Sequence, residues 1–390
     1  MSILNAARPF GPQPTVFSPQ MNADGRRCGT GHDGLRPVER HSRPGRRRKS
    51  AQSAAVRKIF IVSLLFSFAA LACGAGGAGS VGRADDDFSP AGDDDDNDND
   101  DSSPAWTLLT SNTKTDFYGV WGSSAADVFA VGYHQPSAGV IVHYDGAAWA
   151  SMPAPPTTVL FAVWGRSGAD VFAVGFAAPD AGAILHYDGA AWTAMPSGSP
   201  AELAGVWGTG AADAFAVGDA GAILRYDGAA WSPMTANSTA DLSAIWGTGA
   251  ADVFAVGSSG AILHYDGAAW SALSGATDAA LYGVWGSSAA DVFAVGWDSG
   301  ANADGIERYA GGSWSVMSGA PAKLNLNGVW GASASSVFAV GAGGAIVHYA
   351  GAAWSPMSSG TNAELYGVWG VSATDVFAVG RNGTVLHYAE

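Results

Sequence analysis

Short apolar runs alternate with turns of small and polar residues through most of the chain after residue 104. Within residues 242–273 the apolar runs occupy residues 244–246, 252–256, 261–265 and 269–273. Runs of this kind, rich in β-branched and aromatic residues and separated by Gly, Asp and Ser, predict β-strands. No part of the stretch has apolar residues at helical spacing. The pattern therefore predicts a four-stranded antiparallel meander.

The third and fourth runs of this stretch are joined by Asp266-Gly267, in the string Tyr-Asp-Gly-Ala-Ala-Trp. Asp-Gly between two strands is a strong indication of a hairpin. We expect a type I′ turn, in which both central residues have positive φ.

This unit recurs seven times along the chain. Each copy carries Gly-Val-Trp-Gly or a close variant, and successive copies are 39 to 45 residues apart. The anchoring tryptophans are Trp121, Trp164, Trp207, Trp246, Trp285, Trp330 and Trp369. A period near 40 residues with four strands per period is typical of a β-propeller, in which each repeat is one blade. We therefore predict an all-β fold, a seven-bladed β-propeller over residues 104–390.

The seventh repeat ends after its third strand, because only Ala389 and Glu390 follow Tyr388. In the other repeats the fourth strand has a Trp followed three residues later by Met or Leu. The same pair occurs ahead of the first repeat, as Trp106 and Leu109. We expect this N-terminal strand to complete the last blade and close the ring, which removes the exposed sheet edges of an open array.

A basic leader and a signal peptide precede the predicted propeller. Residues 1–55 are rich in Arg, and they are either disordered or upstream of a true start near Met21 or Val56. Residues 56–72 have the organisation of a signal peptide, because Arg57-Lys58 precedes a fourteen-residue apolar run that ends in Ala-Leu-Ala. That run is too short to span a bilayer as a helix.

Residues 73–103 begin with Cys73, directly after Leu71-Ala72. This junction resembles the lipobox of bacterial lipoproteins, which implies acylation of Cys73. The alternative is cleavage ahead of the Cys and release of a soluble protein. The segment continues with Gly-rich sequence and ten Asp between Asp85 and Asp101, which predicts a disordered tether. A calcium loop is the weaker alternative, since the Gly and terminal Glu of such loops are absent.

Charge narrows the range of partners. Residues 104–390 contain six Lys and Arg against twenty-one Asp and Glu. Such an acidic domain disfavours nucleic acid and anionic lipid as partners, so we expect membrane contact only through a lipid anchor. We expect a monomer. The localisation predicted from the leader is export, as a lipoprotein of the outer surface or periplasm, or otherwise secretion.

A His or Arg and an Asp or Ser recur at two positions of the repeat. The first set is His143, His186, Arg225, His264, Arg308, His348 and His387, and the second is Asp127, Asp170, Asp213, Asp252, Asp291, Ser336 and Asp375. Residues at one repeat position are spread around a ring, which disfavours a metal or catalytic cluster. We expect each His or Arg to form a hydrogen bond with a neighbouring acid. We expect the Asp residues to cap the turn between the first two strands.

The sequence contains no nucleophile elbow, phosphate-binding loop or Cys/His metal spacing, so we predict no enzyme activity, cofactor or metal. The alternative is a sialidase-like glycan hydrolase, because the turn at residues 266–270 resembles an Asp-box. That activity needs converging arginines, and Arg166, Arg225 and Arg308 lie in three different repeats.

The connections between second and third strands vary most among the repeats, and they are extended in blades one, two and five. Insertions on one rim of a repeat protein commonly mark its binding face. The candidate ligand-binding residues on this rim are Tyr133, His134, Phe176, Trp297, Asp298 and Arg381. Aromatic faces beside carboxylates suit sugar rings. The alternative interpretation is neutral loop variation among duplicated units.

The repeated string Trp-Gly-Ser-Ser-x-x-Asp-Val-Phe-Ala-Val-Gly, followed by Ile-Leu-His-Tyr-Asp-Gly-x-x-Trp, resembles tandem repeats of secreted bacterial seven-bladed propellers. It is more distantly similar to tectonin and tachylectin lectins and to photosystem II assembly-factor propellers. These resemblances imply glycan or protein binding rather than catalysis, and no binding residue is carried over. Our hypothesis is an exported, lipid-anchored, non-catalytic binding or scaffolding propeller for a glycan or envelope protein. A further alternative is an assembly factor for an envelope complex.

Overall fold

The computed structural model describes residues 105–134, 138–155, 158–177, 181–210 and 212–389. These residues form seven four-stranded antiparallel sheets, which confirms the predicted seven-bladed β-propeller. The basic leader, signal peptide, Cys73 and tether lie outside the described residues, so their assignment stays a prediction. Within the described ranges, no helix has the length and apolar character needed to cross a membrane.

The strands follow one another in a regular meander. In chain order they are β1 (Ala105–Leu109), β2 (Asp116–Ser124), β3 (Asp127–His134), β4 (Ala138–Tyr144), β5 (Trp149–Met152), β6 (Thr158–Ser167), β7 (Asp170–Ala177), β8 (Ala181–Tyr187), β9 (Trp192–Met195), β10 (Leu203–Gly210), β11 (Asp213–Gly218), β12 (Ile223–Tyr226), β13 (Trp231–Pro233), β14 (Leu242–Gly249), β15 (Asp252–Gly257), β16 (Ile262–Tyr265), β17 (Trp270–Leu273), β18 (Ala280–Ser288), β19 (Asp291–Asp298), β20 (Ala303–Ala310), β21 (Ser313–Val316), β22 (Leu326–Ser333), β23 (Ser336–Gly341), β24 (Ile346–Tyr349), β25 (Trp354–Met357), β26 (Leu365–Ser372), β27 (Asp375–Gly380) and β28 (Val385–Ala389). Blade one is β2–β5, and blades two to six take the next strands in groups of four; blade seven is β26, β27, β28 and β1. Short 3₁₀ turns join the second and third strands in blades three, four, six and seven, at Asp219–Gly221, Ser258–Gly260, Ala342–Gly344 and Arg381–Gly383.

Blade four follows the predicted meander, but its last hairpin turn differs from the prediction. The strands β14 to β17 contain the four apolar runs and pair in sequence. The type I′ prediction for the turn after β16 is wrong, because only Gly267 of its two central residues has positive φ, at 91°. Asp266 closes the turn through its carboxylate instead, since Oδ1 accepts the N–H groups of Ala268 and Ala269, each at 2.9 Å. These two bonds lower the pKa of the Asp266 carboxyl.

The N-terminal strand closes the ring as predicted. β1 pairs antiparallel with β28, from Ala105 opposite Ala389 to Leu109 opposite Val385. Its Trp106 is buried, and the indole lies 5.4 Å from the Tyr388 ring between centroids. This strand therefore supplies the same buried outer-strand tryptophan that every other blade has. The seven are Trp106, Trp149, Trp192, Trp231, Trp270, Trp314 and Trp354.

Each inner strand contacts the next blade through a tryptophan–glycine pair. A Cβ placed on Gly165 would lie 2.7 Å from the Trp121 ring of the preceding blade. The contact also joins the last blade to the first, because a Cβ on Gly122 would lie 2.7 Å from Trp369. Glycine after the repeat's inner tryptophan is therefore required for close packing. The inner tryptophans themselves are only partly buried, in contrast to the outer ones.

One blade replaces an apolar core position with a carboxylate. Glu307 on β20 has no exposed surface, and it occupies the place of Leu263 in the preceding blade. Its oxygens accept the N–H groups of Ala276 and Thr277, each at 2.9 Å, and the Thr277 hydroxyl. Glu307 therefore fixes the crossover from blade four to blade five.

Candidate functional site

The connections between strands lie on two faces of the ring. The loop face carries the connections between second and third strands and the crossovers into the next blade, which are hydrogen-bonded to one another. For example, the Asn382 N–H donates a bond of 2.9 Å to Asp116 Oδ1. On the turn face, the two remaining turns of each blade touch, and a Cβ on Gly146 would lie 2.8 Å from the Ala126 Cβ. The recurring His and Asp residues belong to the turn face.

The recurring His and Asp side chains bond to one another within each blade. In blade one, His143 Nε2 lies 2.6 Å from Asp127 Oδ1, and the imidazole lies 4.5 Å from the Phe129 ring. The other pairs are His186–Asp170, Arg225–Asp213, His264–Asp252, Arg308–Asp291, His348–Ser336 and His387–Asp375. Asp127 also accepts a hydrogen bond from Ser123 near the end of β2. These residues hold the second and third strands together and brace the turn, as expected.

The arginines that a sialidase-like site would need are each bound within their own blade. Arg166 Nε donates to Asp170 at 3.1 Å, Arg225 Nε to Asp213 at 2.9 Å and Arg308 Nε to Asp291 at 2.6 Å. They therefore do not converge on one pocket. Among the described residues, no group of three or more His, Cys, Asp or Glu side chains is arranged to hold a metal ion.

A ring of β-bulges surrounds the central channel on the loop face. In each blade the pairing of the first two strands skips one residue, as from Phe117 to Gly119 in blade one. A bulge turns the side chain of the extra residue away from the regular alternation. We call these residues the mouth ring, because they line the channel where the inner strands begin. They are Tyr118, Phe161, Ala204, Ser243, Tyr282, Asn327 and Tyr366.

The mouth ring is asymmetric. Tyr366, Tyr118 and Phe161, on blades seven, one and two, form an aromatic arc with ring centroids 5.1 Å and 5.7 Å apart. Ala204 and Ser243, on blades three and four, have small side chains. The channel encloses a cavity of about 220 Å³. The aromatic arc therefore forms one wall of a small pocket, whereas the small side chains of Ala204 and Ser243 extend only a short way into the channel on the other side.

A buried carboxyl group lies behind the aromatic arc. The Tyr366 hydroxyl donates a hydrogen bond of 3.0 Å to Glu364 Oε2, and Arg381 Nη1 lies 3.9 Å from the same oxygen. Burial raises the pKa of Glu364, and the bond from Tyr366 and the charge of Arg381 oppose this rise. Burial, and then the Glu364 charge, raise the pKa of Tyr366 well above its usual range. The tyrosine therefore stays neutral and remains a hydrogen-bond donor.

Acidic residues precede the mouth ring in four blades. Asp116, Glu202, Asp241 and Glu364 each lie two residues before a bulge residue. Burial, and then the charge of Asp116, raise the pKa of Tyr118 far above its usual range. Among the described residues, Arg381 is the cation whose charge lowers the pKa of Tyr118 and of Tyr366. The electrostatic environment of the arc is therefore set mainly by carboxylates.

Two of the predicted ligand-binding residues lie near the aromatic arc. Arg381 begins the 3₁₀ turn of blade seven and faces Glu364, and Tyr133 lies close enough to Tyr118 for the ionisations of the two hydroxyls to be coupled. Tyr133 itself is buried, because β3 continues through it and pairs with Asp116, and burial raises its pKa. His134 is exposed and lines a separate depression of about 700 Å³ at the outer edge of blades one and seven.

The other predicted ligand-binding residues lie in different blades and are not brought together. Phe176 is half-buried near the end of β7 in blade two. Trp297 is half-buried at the end of β19 in blade five, opposite Asp304. Asp298 Oδ1 accepts the N–H groups of Gly300 and Ala301, so this carboxylate closes its own hairpin. Ligand binding by the full predicted set stays a prediction.

Sequence reasoning missed the mouth ring, although the repeats contain an indication of it. The residue directly before Gly-Val-Trp-Gly differs widely among the copies, whereas the residues after it hardly change. A variable position beside an invariant motif within one chain marks a side chain that the fold does not require. The bulge explains why that side chain is free to vary.

Comparisons with known proteins agree on the fold. No protein-family model and no curated protein matches this chain. Among solved structures, the chain is similar to YCF48 bound to D1 peptide, with 16% identity, a TM-score of 0.59 and coverage of 74% of this chain and 100% of that one. It is similar to YCF48 from Cyanidioschyzon merolae, with 15% identity, a TM-score of 0.58 and coverage of 73% and 99%. The WD40 propeller domain of Doa1 aligns with 9% identity, a TM-score of 0.59 and coverage of 73% and 97%. The chain shares the propeller fold with these proteins.

Proposed function

We propose that this protein is a non-catalytic binding module whose ligand binds to the loop face, at the mouth of the central channel. The observation that carries the proposal is the aromatic arc of Tyr366, Tyr118 and Phe161 on three adjacent bulges. Partly exposed aromatic side chains that the fold does not need are typical of binding sites. A protein segment is the favoured ligand, because a propeller of the same fold binds a peptide in YCF48.

The proposal includes export and attachment to the cell envelope through Cys73. Its support is the sequence of residues 56–73, in which a charged start, a short apolar run and a small-residue exit precede the Cys. A tether of Gly and Asp residues would then hold the propeller away from the membrane surface. The partner is accordingly an envelope protein, with an assembly role in an envelope complex as one form of the proposal.

Site-specific photo-crosslinking in the producing cells tests the binding site. A photoreactive phenylalanine analogue is introduced in place of Tyr118, and in a control strain in place of Ala147 in a turn-face loop. We expect a discrete crosslinked partner from the first position and none from the second. Substitution of Phe161 by Ser should reduce the crosslink from position 118. Equal crosslinking from both faces would contradict the proposal.

A sialidase-like hydrolase is the second candidate, and one observation favours it. Glu364 has a raised pKa beside the channel mouth, as a general acid needs, and the Asp116 carboxylate acts on it electrostatically. Against it, Glu364 is buried and bound by Tyr366, and Asp116 is occupied by the Asn382 N–H. Fluorogenic glycosides decide the question, because turnover that disappears in Glu364→Gln would establish the hydrolase.

A further inference from the structure

The charges around the aromatic arc favour one sign of ligand. The carboxylates of Asp116 and Glu364 act on the arc tyrosines, and Arg381 is the cation among the described residues that opposes them. Residues 104–390 carry twenty-one acidic against six basic residues, so the surrounding field has the same sign. A negative field attracts cations and repels anionic groups.

The rings of the arc add a second attraction for cations. The faces of Tyr and Phe rings carry negative charge density, and they bind ammonium and guanidinium groups within about 6 Å of the ring centre. Tyr118 is flanked by Phe161 at 5.7 Å and by Tyr366 at 5.1 Å, so the three rings form one continuous wall. Tyr282 on blade five adds another partly exposed ring to the mouth.

The size of the cavity limits what enters. Its volume of about 220 Å³ corresponds to roughly seven water molecules, at about 30 Å³ each. Below the mouth ring the channel is lined by the repeat's Gly or Ala and Val or Ile, which offer no charged partner. The space therefore accepts one side chain, and the rest of a ligand stays on the loop face.

From these observations we infer that the channel mouth holds one cationic side chain, Arg or Lys, of a protein partner, against the aromatic arc. The inference rests on the proposed function and names the chemistry of its ligand. The guanidinium or ammonium group lies on the Tyr118 face with its charge toward Glu364 and Asp116. Arg381 gives way to the incoming cation, because its Nη1 lies 3.9 Å from Glu364 Oε2, beyond hydrogen-bond distance.

Ligand-observed NMR on the full-length chain tests the inference with four small probes. These are N-acetyl-arginine amide, N-acetyl-glutamine amide, N-acetyl-glutamate amide and methyl glucoside. We expect the arginine probe to bind about tenfold more tightly than the glutamine probe. This difference of about 1.4 kcal/mol is what a partly desolvated cation–π contact supplies. The glutamate probe should not bind, and the preference for arginine should fall as salt rises.

Matched variants locate the probe. Tyr118→Leu should weaken arginine binding about tenfold, whereas Tyr118→Phe, which keeps the ring face, should retain it. Ala147→Ser, in an exposed turn-face loop, is the control and should bind as the wild type does. Equal binding of arginine and glutamine probes, no binding of any probe, or an unchanged Tyr118→Leu variant would each overturn the inference.

The outcomes separate this inference from the proposed function. If methyl glucoside binds and Phe161→Leu abolishes its binding, the mouth is a binding site for a glycan, and only the cationic ligand is refuted. The cationic ligand alone is also refuted if the crosslinked partner contacts position 118 through a neutral segment. If neither probes nor partner depend on the mouth ring, the proposed function fails as well.

Discussion

Glu307 allows a quantitative test of how the crossovers are held. The change Glu307→Gln keeps the shape of the side chain but replaces one carboxylate oxygen by an amide donor. The two oxygens of Glu307 accept the separate N–H groups of Ala276 and Thr277, so one of these N–H groups would then face an N–H₂ group. Leaving a donor without its acceptor costs about 1–3 kcal/mol, and a lost bond to a charged group has a similar value. We expect a loss of about 2–4 kcal/mol in unfolding free energy.

Urea unfolding at neutral pH measures this loss, and amide hydrogen exchange locates it. Exchange should accelerate at residues 276 and 277 and remain unchanged in the crossovers of other blades. Thr277→Val is the matched control, because it keeps both N–H bonds to Glu307 and removes only the bonds of the hydroxyl, to Glu307 and from the Ala279 N–H. It should cost about 1–2 kcal/mol. A Glu307→Gln protein as stable as the wild type, with unchanged exchange, would refute the reasoning that this carboxylate holds the crossover.

Three further predictions concern packing, protonation and processing. Gly247→Ala should destabilise the protein by about 1–3 kcal/mol in urea unfolding, because its Cβ would lie 2.5 Å from a backbone oxygen. Gly249→Ala, at the end of the same strand, meets nothing within 4 Å and should be neutral. Burial lowers the pKa of His348, so this neutral His favours folding above its unfolded pKa of about 6.5 and loses that contribution as pH falls below it. Ser336→Asp should supply the acid found in the other blades and raise the pKa of His348 in an NMR titration; an unchanged titration would show that the pair does not control it. Cys73→Ser should move the protein from the membrane fraction to the soluble fraction, and intact mass of the mature wild type should show an acyl adduct rather than a free thiol.

The repeat made the fold predictable to the level of individual strands. Seven copies of one pattern show which apolar runs are strands even where a single copy is ambiguous. The strand missing from the last repeat matched an extra strand ahead of the first. The Trp106 prediction succeeded because the outer-strand Trp occupies the same buried place in every blade. The type of the hairpin turn was less predictable. The Asp266 carboxylate accepts the N–H groups of the residues that follow, so the turn is not the type I′ turn that Asp-Gly usually indicates.

The candidate site was harder to predict for physical reasons. Regular alternation along a strand cannot place Tyr118, because the bulge inserts one extra residue between Phe117 and Gly119. The length of the connection between strands also led to a wrong placement of Tyr133. This residue belongs to the extended strand β3 and is buried, and it does not project from a loop. No motif marks Glu307 or Glu364, because their contacts come from residues distant in sequence. Glu307 contacts the crossover at Ala276, and Glu364 faces Arg381 in the 3₁₀ turn of its own blade.

The closing strand β1 has a mechanical consequence. The polypeptide ahead of Ala105 leads directly into the one blade that is assembled from both ends of the chain. Any tension that reaches the propeller from that direction is carried first by five residue pairs between β1 and β28, and the interior blades bear none of it until these separate. Pulling from the N-terminus in an optical trap should therefore release a short segment at low force, before the remaining blades unravel.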